Sequence, residues 1–347
     1  MTSPNSEPTT SVVVVNWNGG ALLQACLRSL AEDAGDRFGS TVEVLLADNA
    51  SEDGSVEEAE RDFPCLRVLR LPTNGGFAAG ANAGIRASRG AFVVLVNNDA
   101  RVARGFLDAI VAPMRDPAGS DVAAVTGRVL LAGRYRPAPA GASPDEGLVA
   151  HDGRRWLRTA GHDGVRLVNS TGNLVTRSGN GRDRDWLAPA DDVRGASEVF
   201  GFNGGCVALR RAALDAVGLL DEHLFMYYED TELSWRLRRA GWRIVHAPSA
   251  VTDHEHAASS GTGTQFFQVH NTRNRLVVSL MHAPWPVFLR GLGRTGWRLI
   301  TGPHRGRTAR ALVQAVRLVP LALGRRRATD QTARSGRREL ARWLVPD

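Results

Sequence analysis

Polar residues close three short apolar runs early in the chain: Asn16-Trp17-Asn18 after 11–15, Asp48-Asn49 after 42–47, and Asn97-Asn98-Asp99 after 91–96. Open α/β sheets hold their ligands in the crevice beyond the carboxyl ends of the strands, so these are the first residues to ask for chemistry. Taken singly, each Asp is equally an N-cap for the helix that follows. Asp99, just beyond five consecutive apolar residues, suits a hard divalent cation, Mg2+ or Mn2+, shared between a carboxylate and diphosphate oxygens. Asn97 and Asn98 stand where a second Asp is often found, so the cation site needs a bound nucleotide to complete it.

Other segments add candidates. The glycine-rich stretch 73–84, with Gly76 and Asn82, lets backbone approach a ligand and opens a helix whose N-terminus favours an anion, although tight turns also require glycine. Glu229 and Asp230 open a helix behind the apolar and aromatic run 224–228. They either complement the helix dipole or, beside that apolar wall, gain the raised pKa of a general base. His254 and His256, two apart in an extended segment, face the same side, as a metal ligand or as a solvated turn.

The elements that position these residues follow from hydrophobic periodicity. Strands are expected at 11–15, 42–48, 66–71, 91–96 and 122–131, with helices at 21–30, 77–88 and 105–114 between them. This alternation predicts an α/β doubly wound, mostly parallel sheet. Residues 132–195 are read as irregular. Regularity resumes with an extended stretch at 197–211, helices at 211–217 and 229–240, a strand at 242–248 and an amphipathic segment at 266–281. The expected organisation is a leader over 1–10, a nucleotide-binding half over 11–131, an acceptor half over 132–285, and a basic helical tail over 286–347.

Composition removes several classes. All 43 basic residues among the 347 are Arg; without Lys there is no Walker-type P-loop, no pyridoxal phosphate Schiff base and no kinase strand lysine. The first strand runs into Asn16-Trp17-Asn18-Gly19-Gly20 instead of a GxGxxG turn, which argues against nicotinamide or flavin binding. The net charge of +7 resides in the tail, where 14 Arg face only Asp330, Glu339 and Asp347. Nothing in that pattern predicts a specific nucleic-acid partner. The three cysteines lack zinc spacing, and no run approaches the roughly 18 apolar residues of a membrane span. A cytoplasmic protein is expected, with the Arg-rich amphipathic tail either packed on the domain or in peripheral contact with the inner face of the cell membrane.

The order of motifs VVVVNWNGG, LLADNASEDGS, TNGGFAAGANAGI, VLVNNDA, FGFNGGCVALRR, GLLDEHLFMYYEDTELSWRLRRAGWRI and RNRL, over about 11–285, resembles the family 2 glycosyltransferases of GT-A fold, in their bacterial rhamnosyltransferase-like branch. The resemblance implies an inverting, metal-dependent transfer from a nucleotide-sugar, dTDP-rhamnose first and a UDP-sugar second, to a glycan, lipid-linked or small-molecule acceptor. It also implies roles: Asp48 and Asn16 at the base, with Asn18, Asn49, Gly76, Asn82, Asn98, Gly204 and Gly205 around the donor. Asp99 would be the metal-binding acid, with His254 or His256 near the family's late histidine. Asp230 would be the base that deprotonates the acceptor, with Glu229, Trp156 and Trp186 on the acceptor side, the tryptophans offering exposed faces to sugar rings. Two other readings compete: a nucleotidyltransferase, for which the chain lacks the usual Lys, and an inactive GT-A fold working through its basic tail.

Overall fold

The computed structural model describes residues 9–139, 143, 147–161, 163–193, 195, 197–255 and 264–347. Its first half alternates β1 (Thr10–Asn16), α1 (Gly20–Ala34), β2 (Val42–Asp48), α2 (Ser55–Asp62), β3 (Arg67–Arg70), α3 (Gly76–Ala87), β4 (Phe92–Asn97), β5 (Ala100–Val102), α4 (Phe106–Arg115) and β6 (Val122–Leu131). Parallel strands covered by helices on both faces must be apolar on both faces, which explains the unbroken valine run of β1. Val12 and Val14 pack with Leu23 and Leu27 of α1, whereas Val13 packs on the opposite side with Ala81 and Ile85 of α3. Each such fully buried side chain contributes about 1.5–3 kcal/mol. β1 begins at Thr10, itself buried, so the expected leader ends sooner than residue 10.

The next stretch is more regular than its composition suggests. β7 (Arg134–Pro137), β8 (Leu148–Val149) and β9 (Arg155–Thr159) form a three-stranded antiparallel sheet, followed by β10 (Val168–Ser170), β11 (Asn173–Val175) and β12 (Gly181–Asp183). Strands this short, rich in Arg and Asp, carry no alternation that a sequence reading can detect. Trp156 on β9 is only 5% exposed, packed with Leu131, Tyr135, Leu167 and Leu187. The exposed sugar-stacking face expected for it is therefore corrected to a core position. Trp156→Ala is expected to cost about 3–5 kcal/mol of stability in a denaturant titration, with acceptor KM unchanged and apparent kcat reduced only by the lost folded fraction.

β13 (Ser197–Glu198), β14 (Cys206–Arg210), α5 (Arg211–Val217), α6 (Glu229–Arg239) and β15 (Arg243–His254) complete the sheet, whose order is β13-β15-β6-β14-β4-β1-β2-β3. β14 lies antiparallel to both neighbours, β4 and β6, while β15 runs parallel to β6. The sheet is thus mixed and mostly parallel, in an α/β body.

α7 (Gln265–His282), α8 (Trp285–Thr301), α9 (Arg305–Arg317), α10 (Val319–Thr332) and α11 (Arg337–Leu340) form a helical layer. Residues 286–347 pack into the same body through Leu276, Met281, Val287, Ala322, Leu340 and Leu344, which share a core with Tyr228 and Trp235. Buried Arg326 donates to the carbonyls of Leu280 (2.8 Å) and Ala283 (2.9 Å), and the amide of Arg177 donates to Val345 O at 2.9 Å. Among the described residues no helix is long and apolar enough to cross a membrane.

Candidate active site

The strand register brings the first polar cluster together. β1 pairs Asn16 with Asp48 on β2 and Val15 with Asn97 on β4, so three strand ends open on one crevice. Asn16, fully buried, spans them: its Nδ2 donates to Asp48 Oδ1 (3.2 Å) and its Oδ1 accepts from Asn98 Nδ2 (2.8 Å). Asp48 also accepts the hydroxyl of Ser51 (2.5 Å) and its amide (3.1 Å), which leaves lone-pair capacity on Oδ2 for a donor on a ligand. Asn18, at φ +50°, accepts the Glu52 amide at 2.9 Å and ties its loop to the one after β2.

The glycine-rich loop is held to the opposite wall. Asn49 Nδ2 donates to Gly76 O at 3.1 Å, and the buried Asn49 Oδ1 has no hydrogen-bond partner among the described residues. Gly76, at φ +82°, lies so close to Phe225 that a Cβ would sit 2.2 Å from its carbonyl oxygen. Only glycine fits there. Asn82 belongs elsewhere: buried in α3, it donates to Leu220 O (2.9 Å) and Glu222 Oε1 (2.8 Å) and accepts from Leu220 N (3.1 Å). Its amide is spent on bracing that loop, so the donor-binding role expected for it is corrected to a structural one.

Pairing of β15 with β5 and β6 aligns His254 with Ala100 and Leu131 and so carries the imidazole to Asp99, with Nε2 3.1 Å from Oδ1. The other nitrogen, Nδ1, lies 2.8 Å from Asn169 Oδ1; donation there leaves Nε2 as the ligating nitrogen, the arrangement typical of metal-bound histidine. Burial lowers the pKa of His254, but the Asp99 and Asp183 carboxylates outweigh it and the net direction is upward. No group of three or more His, Cys, Asp or Glu among the described residues could enclose a metal. A carboxylate and an imidazole as a partial donor set fit a cation completed by phosphate oxygens and water. His256 lies outside the described residues.

Asp230 stands in the first turn of α6, against the loop that leads into β14. Its Oδ2 accepts the Gly204 amide (3.2 Å), and its Oδ1 accepts the amide (2.5 Å) and hydroxyl (3.1 Å) of Thr231. Gly204 thus serves through its N–H. Gly205 serves through its lack of a side chain, since a Cβ would lie 2.8 Å from Asn97 Nδ2. Burial pushes Asp230 above the ordinary carboxylate range, and the three donors hold the rise back. Glu229, buried with Oε2 unpartnered among the described residues, rises further, through burial and then the charge of Asp230. At neutral pH Asp230 is therefore the better anion of the two.

The turn ahead of Asp230 is strained, with Phe225, Tyr227 and Tyr228 at φ +65°, +70° and +72°. α7 clamps it: buried Asn274 donates to the carbonyls of Leu224 (3.0 Å), Met226 (3.0 Å) and Tyr227 (2.7 Å). Asp183, at the end of β12, is a site residue that no spacing announced. It accepts from Asn203 Nδ2 at 3.1 Å, is itself raised by burial, and lies within the electrostatic reach of both His254 and Asp230. Trp186 is half-buried against the Trp156 cluster, its Nε1 donating to Val149 O at 3.0 Å.

The arrangement can bind a diphosphate at one end and deprotonate a hydroxyl at the other. The sequence profile described as glycosyltransferase like family 2 matches residues 8–279. An N-acetylglucosaminyl-diphospho-decaprenol L-rhamnosyltransferase of Mycobacterium tuberculosis is 28% identical over 292 residues, covering 79% of this chain and 85% of that protein. Among solved structures, GalNAc-T7 with UDP, GalNAc and Mn2+ aligns with a TM-score of 0.58 at 15% identity over 81% of this chain, which spans about half (49%) of that one. The mannosyltransferase PcManGT from Pyrobaculum calidifontis, in complex with GDP-Man and Mn2+, gives 0.50 at 17% identity over 95% of this chain and 86% of its own.

Proposed function

The chain belongs to glycosyltransferase family 2, in its bacterial rhamnosyltransferase-like branch, and from that premise we propose that it moves a deoxyhexose, rhamnose foremost, from a dTDP-sugar to a hydroxyl of a lipid-linked or cell-envelope glycan, with inversion. A UDP-sugar is the second donor. The observation that carries this reading is the cluster of acids at the strand ends: His254 lies 3.1 Å from Asp99, and Asp183 is within electrostatic reach of both His254 and Asp230. The acceptor class rests on the Mycobacterium tuberculosis relative, whose name specifies a diphospho-decaprenol substrate.

In this reading Asp48, Asn16 and Asn49 hold the base, and the Gly76 loop admits the diphosphate. Asp99 and His254 would hold a divalent cation, which would supply positive charge where the departing diphosphate gains negative charge. Asp230 accepts the proton of the acceptor hydroxyl as its oxygen bonds to the anomeric carbon and the bond to the diphosphate breaks. Nucleoside diphosphate is a good leaving group and needs no protonated carboxyl, unlike the two-carboxyl hydrolysis of glycosides. Glu229 and Asp183 shape the field at the base, and Trp186 borders the acceptor side.

Isothermal titration with dTDP, UDP and GDP, each with and without Mn2+, tests the donor. Metal-dependent binding of dTDP at least tenfold tighter than of GDP is the expected result. Equal affinity for all three diphosphates would remove the base-reading role of Asp48, and tighter UDP than dTDP binding would move the donor to a UDP-sugar.

A further inference from the structure

The helical layer leaves a large apolar face uncovered. On α8, Val287, Gly291 and Thr295 face inward at four-residue spacing and are buried. Trp285, Leu289, Leu292 and Ile300 recur at spacings of three, four and eight on the far side and stand 49%, 59%, 39% and 65% exposed, with Trp297 beside them at 67%. A helix that is apolar on the side away from its own core is partnered by something outside the chain. α9, joined to α8 by three residues and packed on it, adds Val313 and Val316, both more than half exposed. Arg290, Arg294 and Arg298 line one flank of α8, and Arg305, Arg310 and Arg317 are exposed on α9.

We propose that the α8–α9 hairpin docks this protein on the surface of an anionic phospholipid bilayer, with Leu289, Leu292, Trp297, Ile300, Val313 and Val316 entering the interface and the arginines meeting the headgroups. The charge pattern selects this occupant. The hairpin, residues 285–317, carries seven Arg and no Asp or Glu, and although Arg294 pairs with Asp347 at 3.0 Å, a second copy seated on the same face would set cation against cation. A nucleic acid would use the arginines but leave the tryptophan and aliphatic side chains in water. An amphipathic surface with Trp and Leu inside a basic rim is what an anionic interface binds.

The face is close to the catalytic turn. Arg307 on α9 donates to Gln268 Oε1 on α7 at 3.0 Å, one residue from Phe267, whose ring lies 5.0 Å from that of Tyr227. Phe266, partly exposed, packs edge-on to Phe225. A bilayer on the hairpin is thus separated from the turn before Asp230 by a layer of aromatic side chains. The proposal stands on the hairpin alone and does not require the acceptor class inferred above.

Flotation of the full chain with vesicles of phosphatidylglycerol and phosphatidylcholine, against phosphatidylcholine alone, is the test. The wild type is expected to float with the anionic vesicles at least tenfold more tightly than with the neutral ones. Trp297→Ser/Ile300→Ser is expected to weaken binding roughly tenfold or more. Arg298→Gln/Arg305→Gln/Arg310→Gln is expected to lose about fivefold per Arg and much of the salt dependence. All these positions are exposed, so both variants should melt like the wild type. Absence of flotation, equal binding to neutral vesicles, or variants that bind like the wild type would each overturn the proposal. A dimer in solution that Trp297→Ser/Ile300→Ser dissolves would overturn it too, by giving the face to a second copy.

Discussion

Asp230→Asn is expected to lower kcat by roughly 10²–10⁴-fold, the range that a positioned general base contributes, while the Kd for nucleoside diphosphate changes less than threefold. The amide keeps the shape of the side chain, but its single oxygen can accept from Gly204 N–H or from Thr231 and not from both, so the unchanged diphosphate Kd is what separates lost chemistry from lost folding. The pH profile sharpens the test. The reactive form is the carboxylate, so kcat/KM falls as pH drops through the Asp230 pKa; since burial raises that pKa, the acid limb should lie above the ordinary aspartate range. Glu229 rises further and is still protonated while Asp230 titrates, so Glu229→Gln should leave the acid limb in place with kcat largely retained. A wild-type limb within the ordinary carboxylate range, or Asp230→Asn retaining a tenth of the activity, would pass the role of base to another group, with Asp183 the first to examine.

Asp99→Ala should abolish the metal-dependent part of nucleotide binding, weakening the Mn2+–nucleoside diphosphate complex by roughly 10²-fold or more, because it removes the carboxylate that lies 3.1 Å from His254 Nε2. Thermal shift reads the loss directly. A ligand present at about 100 times its Kd stabilises the folded state by about 2.7 kcal/mol, so Mn2+ with diphosphate should raise the wild-type Tm by several degrees and leave the variant unchanged. His254→Ala should show a smaller defect of the same kind, and Asn169→Ala, acting only by orienting the imidazole, a smaller one again. If Asp99→Ala binds diphosphate with undiminished metal dependence, the cation is held elsewhere.

The strand ends were legible because a doubly covered parallel sheet writes itself as unbroken apolar runs, and whatever polar residue stops the run stands at the crevice. Asn16 and Asp48 stand at paired strand ends, and Asp99 lies two residues past the end of β4. Asn82 illustrates the opposite case: a polar residue on a glycine-rich helix beside a ligand loop has the same signature whether it faces the ligand or, as here, the loop behind it. Trp156 misled for a related reason, because an isolated aromatic in a charged stretch looks exposed until a small sheet closes over it. Asp183 stayed hidden because its neighbours alternate Arg with Asp over three-residue strands, and only the β11–β12 hairpin delivers it to Asn203. The helical layer was expected as amphipathic helices, but which face packs and which is bare depends on α7, and no local pattern encodes that.

Asn274 gives the architecture a further property. The turn that presents Asp230 is not self-supporting: three aromatic residues sit in a backbone region they avoid, each at a cost of order 1–3 kcal/mol, and α7 restrains them through the Asn274 carboxamide, with Arg273 beside it donating to Leu224 O at 2.7 Å. α7 is also the support on which α9 and α10 rest. The base is thus registered against a beam outside its own segment, as a tool is set against a fence. Substitutions along that beam, remote from either substrate, can shift the base by tenths of an ångström and so retune the reach of the reaction without altering a residue that touches a sugar.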